Sequence, residues 1–290
     1  MPLISIIIPT YNRGHIINRA INSVLTQSFS DYEILIIDDG STDDSKNIIQ
    51  PYFKNTHVKY LFQENKGVCS ARNMGAKNST GEYLLFLDSD DVFKEDALKN
   101  YSNKITHDKP DIIYGDMFFI NSKTKETIIK KVRITNGKIE GLGISIPGTF
   151  CLTRKLFDEA GGYDENLRFG ENTELKFRIE YLNPKASFLD QPVLFYEASL
   201  DGESKNLRNM IESNLYVIKK HKKYFQNKKK LLRNYFQNNA VAFVRLNEYN
   251  NARTSIISAF FSYPYSLKTF IRMIIMLSPF LSKRIWKNKK

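Results

Sequence analysis

The 290-residue sequence predicts an α/β fold, a largely parallel sheet with a basic helical extension behind it, on three observations. Apolar runs of strand length alternate with helix-length segments through the first ninety or so residues, the pattern of a parallel sheet. Polar and acidic residues gather directly after each apolar run. Charge is divided unevenly: residues 1–204 hold 24 Lys and Arg against 29 Asp and Glu (−5), and residues 205–290 hold 19 against only Glu212 and Glu248 (+17).

Leu3–Ile8 (LISIII) is a continuous β-branched run, the mark of a strand buried on both faces. After PTYNRG, the residues Ile16, Ile17, Ala20, Ile21, Val24 and Leu25 recur at helical spacing. Tyr32–Ile37 (YEILII) is a second strand, ending in DDGSTDDS, where Ser41 to Asp44 offer N-caps for a helix through Phe53. Lys59–Phe62 is a short third strand, and the helix after it opens near Val68 and closes at a Gly or Asn stop. Tyr83–Leu87 is a fourth strand that ends abruptly in Asp88, Ser89, Asp90 and Asp91. Three carboxylates so close cannot all be ionised and unpaired; they need donors or a cation. Hard oxygen ligands suit Mg²⁺ or Mn²⁺, and ligands of open α/β sheets bind beyond the carboxyl ends of the strands. The plain alternative is a surface turn in which Asp91 caps a helix from Lys94.

Several classes are excluded. The turn after the first strand has one glycine, Gly14, so it lacks the dinucleotide fingerprint, and no GxxxxGK[ST] occurs. Two cysteines, Cys69 and Cys151, far apart in sequence, make no zinc site and fit a reducing compartment. Met1 leads into the first strand without a basic n-region, so no signal peptide is expected. Repeats and low-complexity linkers are missing, and Asn136–Gly143 (NGKIEGLG) is expected as a mobile acceptor-side loop.

PTYNRG, DDGSTDDS and NKGVCSARNMGAKNSTGEYLLFLDSDD, in this order and spacing, with a second block at Pro147–Arg178, resemble the family-2 nucleotide-sugar glycosyltransferases. The resemblance implies a GT-A-type fold, with a Rossmann-like nucleotide-binding sheet (residues 1–100) continuous with an acceptor-binding half (101–204), before the helical extension (205–290). It implies that Pro9, Thr10 and Tyr11 lie at the nucleobase, where an aromatic pair is worth about 0.5–1.5 kcal/mol. Asp39 takes the position of a base-reading carboxylate; it can accept from the imide N–H of uracil, which cytosine lacks. Arg72, in SARN, is placed near the nucleotide, its charge suited to diphosphate or to a salt bridge with Asp88 or Asp39. Asn73 and Gly75 read as packing and capping residues. Asp88 would face ribose or metal, and Asp90 would be the main ligand of Mn²⁺ or Mg²⁺ bridging the diphosphate of a UDP-sugar.

In the second block, Gly148–Thr149, Arg154–Phe157 and Gly161–Asp164 resemble the acceptor-side segment. The family's Glu-Asp pair, whose Asp is the general base, is here Glu171-Asn172, and an amide cannot accept the proton. Three readings remain open: Glu171 is the base, Glu174 one turn on is the base, or the chain is a poor transferase. Charge at a helix N-terminus explains both glutamates without catalysis. Many relatives add a late His; this chain has only His15, His57, His107 and His221, leaving Asp201, Glu203 or Ser204 as substitutes.

The tail mixes basic runs with apolar stretches, Ser255–Phe261 and Leu267–Leu281, and its longest charge-free run near the end, Met273–Ser282, is about half of the roughly twenty residues a span requires. A basic amphipathic helix lying in an interface fits it. Lys with Tyr and Phe can imitate a nucleic-acid surface, but no nucleic-acid motif accompanies them. The reading is therefore an inverting, metal-dependent hexosyltransferase, cytoplasmic and peripheral at the inner face of the cell membrane. It would use a UDP-sugar donor and a saccharide or lipid-linked saccharide acceptor in surface polysaccharide (capsule, O-antigen or similar) biosynthesis. The rival is a non-catalytic nucleotide-sugar or glycan-binding module that keeps the fold.

Overall fold

The computed structural model describes residues 1–121, 124–131, 133–135, 138–140, 146–197 and 206–287. The chain divides into two compact units, Met1–Leu167 with Glu171–Leu200, and Arg168–Gly170 with Asp201–Lys290.

The first unit is built on one sheet. Strands β1 (Ile4–Thr10), β2 (Tyr32–Asp38), β3 (Val58–Phe62) and β4 (Tyr83–Phe86) pair in parallel in the order β3-β2-β1-β4. The sheet continues through β10 (Phe150–Thr153), β6 (Ile112–Ile120), β11 (Ala186–Glu197) and β5 (Val92–Phe93), with β7 (Thr127–Lys130) paired to β6. Strand β10 is antiparallel to both β4 and β6, whereas β11 runs parallel to β6. A small separate pair is formed by β8 (Arg133–Thr135) and β9 (Lys138–Glu140).

Every residue of β1, β2 and β4 is buried, as expected for strands covered on both faces. Alternate residues serve opposite layers. Ile4, Ile6, Ile8, Ile34, Ile36 and Leu85 pack with α1 (Ile17–Leu25) and α4 (Ala97–Asp108). Ile7, Leu35, Ile37, Leu84 and Phe86 pack with α3 (Val68–Asn78), α5 (Arg154–Glu159) and α6 (Glu171–Tyr181). Gly75 permits the close seating of α3: a Cβ there would lie 2.4 Å from Ile7 Cγ2.

Two expectations about helices are corrected. The helix expected through Phe53 is α2 (Ser45–Ile49), which then tightens into a 3₁₀ turn, Gln50–Lys54, because Pro51 has no N–H to continue the ladder. Asp91 does not cap a helix from Lys94: β5 intervenes, pairing with Leu194–Phe195, and α4 starts at Ala97. The NGKIEGLG segment contributes β9, its other residues lying outside those described, as do Asp201, Glu203 and Ser204.

At the amino-terminal edge of the sheet Glu33 is buried and collects donors from Ser5, Lys59, Thr80 and Gly81. Burial alone would raise its pKa, but these bonds, that from Lys59 first, bring it down to about 2.

The second unit is helical: α7 (Leu207–Lys220), α8 (Lys222–Asn227), α9 (Lys229–Arg245), α10 (Tyr249–Ser262), α11 (Leu267–Leu277), α12 (Pro279–Ser282) and a π turn, Lys283–Lys287. Its core joins Ile211, Phe243, Val244, Ile256 and Met276. Two buried polar pairs link helices: Asn214 donates to Asn239 (2.8 Å), and Gln237 donates to Thr269 (2.7 Å). Among the described residues no helix is long and apolar enough to cross a membrane.

Candidate active site

The strand order places the site. Strands β2 and β3 follow β1 on one side and β4 lies on the other, so the connections diverge between β1 and β4, a switch point of the kind at which α/β sheets bind ligands. Register aligns the strand ends there: Thr10 pairs with Asp38, and Ile7 with Phe86, two residues before Asp88.

At the end of β1, Pro9 and Thr10 are buried and Tyr11 is exposed. The loop beyond is tied to the loop after β2: the Asn12 side chain, at a residue with φ of 52°, accepts from Thr42 and Asp43, while Arg13 N–H donates to Ser45 Oγ at 3.0 Å. Asp38 is structural, accepting from Ser41 N–H and Tyr60 Oη, both at 2.8 Å. Asp39 is also buried, and its carboxylate accepts from Gln63 (2.6 Å), Lys66 N–H (2.9 Å) and Gly67 N–H (2.8 Å). It thereby holds the loop that opens α3. A carboxylate has about four acceptor sites, so three donors leave room for roughly one more.

Arg72, on α3 and only 2 % exposed, joins two distant parts of the chain. Its guanidinium donates to Asp88 Oδ1 at 2.6 Å and to Glu171 Oε1 at 2.9 Å, and it lies 5.1 Å from the Tyr163 ring. A planar fork can serve two carboxylates at once; a lysine cannot reproduce that geometry. Asn73 next to it clasps the Gly161-Gly162-Tyr163 turn, accepting from Tyr163 N–H and donating to Tyr163 O.

Asn172, buried on α6, completes the cluster. It donates to Glu171 Oε1 at 2.9 Å and accepts from Tyr163 Oη at 2.9 Å. Burial raises the Tyr163 hydroxyl well above its ordinary range, so it remains a donor. Both bonds to Glu171 fall on one oxygen; among the described residues nothing donates to Oε2. Glu174 is placed differently. It is fully buried and gripped by Arg178 through Nε (3.0 Å) and Nη2 (2.6 Å). The fold therefore brings Arg72, Asp88, Glu171 and Asn172 together and leaves Glu174 out.

Of the acidic trio, Asp88 and Asp90 are half-buried, whereas Asp91 is 1 % exposed. Burial raises the Asp88 carboxyl, Arg72 pulls against it, and the charge of Asp90 adds to the rise. Burial, then Asp88 and Asp90, push Asp91 well above the carboxylate range. Thr10 Oγ1, Arg72 Nε and Asp91 Oδ2 are buried here without a partner among the described residues, polar capacity open to a ligand. Among the described residues no three His, Cys, Asp or Glu converge to enclose a metal. The donor set fits an ion held by one or two carboxylates and completed by substrate oxygens, the usual Mg²⁺ arrangement.

Two residues escaped sequence reasoning. Tyr163 lies within Gly161–Asp164, but its partners, Arg72 and Asn172, are recognisable only in three dimensions. Tyr196, next to last in β11, is stacked on Phe119, with its hydroxyl pushed up to about 12 by burial and then by Asp91, Asp88 and Asp90.

Known proteins share this chain's sequence pattern and fold. The family model described as Glycosyl transferase family 2 matches residues 5–163. An uncharacterized glycosyltransferase of Rickettsia felis is 47 % identical over 185 residues, 62 % of this chain and 30 % of that protein. Glycosyltransferase GlyG of Streptococcus pneumoniae is 35 % identical over 213 residues, 67 % of this chain and 70 % of its own. The chain thus spans less than a third of the length of the Rickettsia felis relative. The crystal structure of Staphylococcus aureus TarS 1–349 in complex with UDP-GlcNAc superposes with a TM-score of 0.65 at 19 % identity, covering 94 % of this chain and 92 % of that one. The last similarity establishes the shared GT-A-type fold.

Proposed function

The chain belongs to glycosyl transferase family 2, and from that premise we propose that it is an inverting hexosyltransferase that moves a sugar from a UDP-sugar to a saccharide or lipid-linked saccharide hydroxyl. The observation that carries the proposal is the Arg72 bridge between Asp88, at the strand end, and Glu171, on the acceptor-side helix. In this reading residues 1–100 bind the donor, 101–204 the acceptor, and 205–290 form a basic extension that attaches the protein peripherally to the inner face of a membrane. The pathway would be surface polysaccharide synthesis. UDP-GlcNAc and UDP are bound by TarS in its crystal structures, which supports a uridine donor here.

Each residue has a part. Tyr11 offers an exposed ring to the base, Thr10 a buried hydroxyl with no partner among the described residues, and Asp39 its remaining acceptor site, with Pro9 shaping the turn between. Glu171 is the base: Arg72 and Asn172 fix its carboxylate through Oε1, and Oε2 takes the proton of the acceptor hydroxyl. Glu174 braces α6 through Arg178 instead. Asp90, with Asp88, would hold Mn²⁺ or Mg²⁺. Such an ion supplies Lewis-acid stabilisation of the diphosphate leaving group.

The rival, a non-catalytic binding module, draws on Asn172 standing where relatives are expected to carry an aspartate. The hydrogen bonds argue otherwise. An aspartate at this position would set a second carboxylate against Glu171, whereas the amide donates to it. A donor screen with the purified protein, reading sugar transfer and UDP release, separates the two: turnover supports the transferase, and nucleotide binding without turnover supports the module.

A further inference from the structure

We propose that the outward face of α11 is a docking surface for an anionic lipid bilayer, which deepens the proposed function by naming the residues and chemistry of its membrane contact. The helix is turned the opposite way from an ordinary surface helix. Met276 and the polar Thr269 face the core of the helical unit, together with the partly buried Met273 and Arg272, the latter donating to Gln237 at 2.9 Å. Leu267, Phe270, Ile271, Ile274 and Leu277 face outward, between 41 % and 73 % exposed. At the angular spacing of an α-helix these five span about 120°, a continuous apolar stripe of the width that normally faces a core. Isolated exposed apolar residues need no explanation, but a whole helix face does.

The surroundings fit one occupant. Phe261 and Tyr265, at the turn joining α10 to α11, are exposed as well, and aromatic rings of this kind settle at the level of lipid headgroups. Lys268, Lys283 and Arg284 are exposed on α11 and on the turn after α12. From Ser266 to Lys290 the sequence has seven basic residues and no acidic one. An apolar stripe on a segment whose charged residues are all cations matches a surface with an apolar interior and negative headgroups. With eleven residues, α11 is too short to span a bilayer and long enough to lie in its interface.

The test is flotation of the full chain with vesicles of phosphatidylcholine alone or with phosphatidylglycerol added, alongside light scattering of the protein without lipid. The chain should float with the anionic vesicles and remain behind with the neutral ones. Ile271→Glu combined with Ile274→Glu should lower the partition coefficient by about tenfold or more, because two side chains are withdrawn from the acyl boundary. Lys268→Glu with Arg284→Glu, which leaves the stripe intact, should lower it by a similar factor. Equal binding to both vesicles, no binding, or unimpaired flotation of the Ile271/Ile274 variant overturns the proposal. So does a dimer that this variant dissociates, since a second copy would then cover the stripe. UDP binding measured without vesicles judges the transferase reading separately, and it should be unchanged in both variants.

Discussion

Arg72 in the α/β unit is buried and shared between two carboxylates, while in the helical unit Lys268 stands exposed on the helix with the apolar stripe and Lys283 and Arg284 stand exposed on the turn after α12. Asp39, Glu33 and Glu171 are likewise each held by two or more donors, in a region whose net charge is −5. The helical region carries +17 and has only Glu212 and Glu248 to offset it. Buried, paired charge fixes geometry, which a reaction requires. Unbalanced exposed charge fixes nothing locally, but it creates a field that acts on whatever approaches.

That contrast can be broken by substitution. The largest effect is expected from Arg72→Ala, which strands Asp88 and Glu171; removing one partner of a buried pair costs about 3–5 kcal/mol, read from urea unfolding. Arg72→Lys should recover part of the stability, since an ammonium cannot fork to both acids. Next is acid sensitivity at Glu33. Its folded pKa of about 2 lies below the unfolded value near 4.5, so its contribution is complete above about pH 4.5 and is lost as pH falls toward 2. The loss is at most about 3 kcal/mol, and less because Lys59 is half-exposed and screened. Glu33→Gln should flatten the stability profile in that window. Asn172→Asp should lower turnover by about tenfold by setting a carboxylate against Glu171, the scale of one mispositioned hydrogen bond near 1.4 kcal/mol; a gain in turnover would instead favour the impaired-enzyme reading. The smallest effect is Arg208→Ala, which removes an exposed pair with Glu248 and should leave the unfolding midpoint unchanged.

Much of the donor side was legible in the sequence. Strands buried on both faces read as unbroken apolar runs, so β1, β2 and β4 and the polar residues ending them stood out in LISIII, YEILII and YLLFL. What stayed hidden were partnerships between residues distant in the chain. Arg72 and Glu171 are 99 positions apart, and either looked able to serve another role. Strand β5 exists only because Val92 and Phe93 meet β11, about a hundred residues on, which is why Asp91 read as a helix cap. Glu174 shared the face of Glu171 by spacing, but the grip of Arg178 is a tertiary fact of orientation and burial. The periodicity of α11 likewise showed a stripe without showing that the core lay on its other side.

The role proposed for Glu171, oriented by Arg72 and Asn172, is to remove the acceptor proton. Its most direct test is Glu171→Gln, measured for sugar transfer and, by calorimetry, for UDP binding. Turnover should be about 10²–10⁴-fold lower with UDP affinity retained, the usual size of general-base catalysis. Full turnover in Glu171→Gln would contradict it.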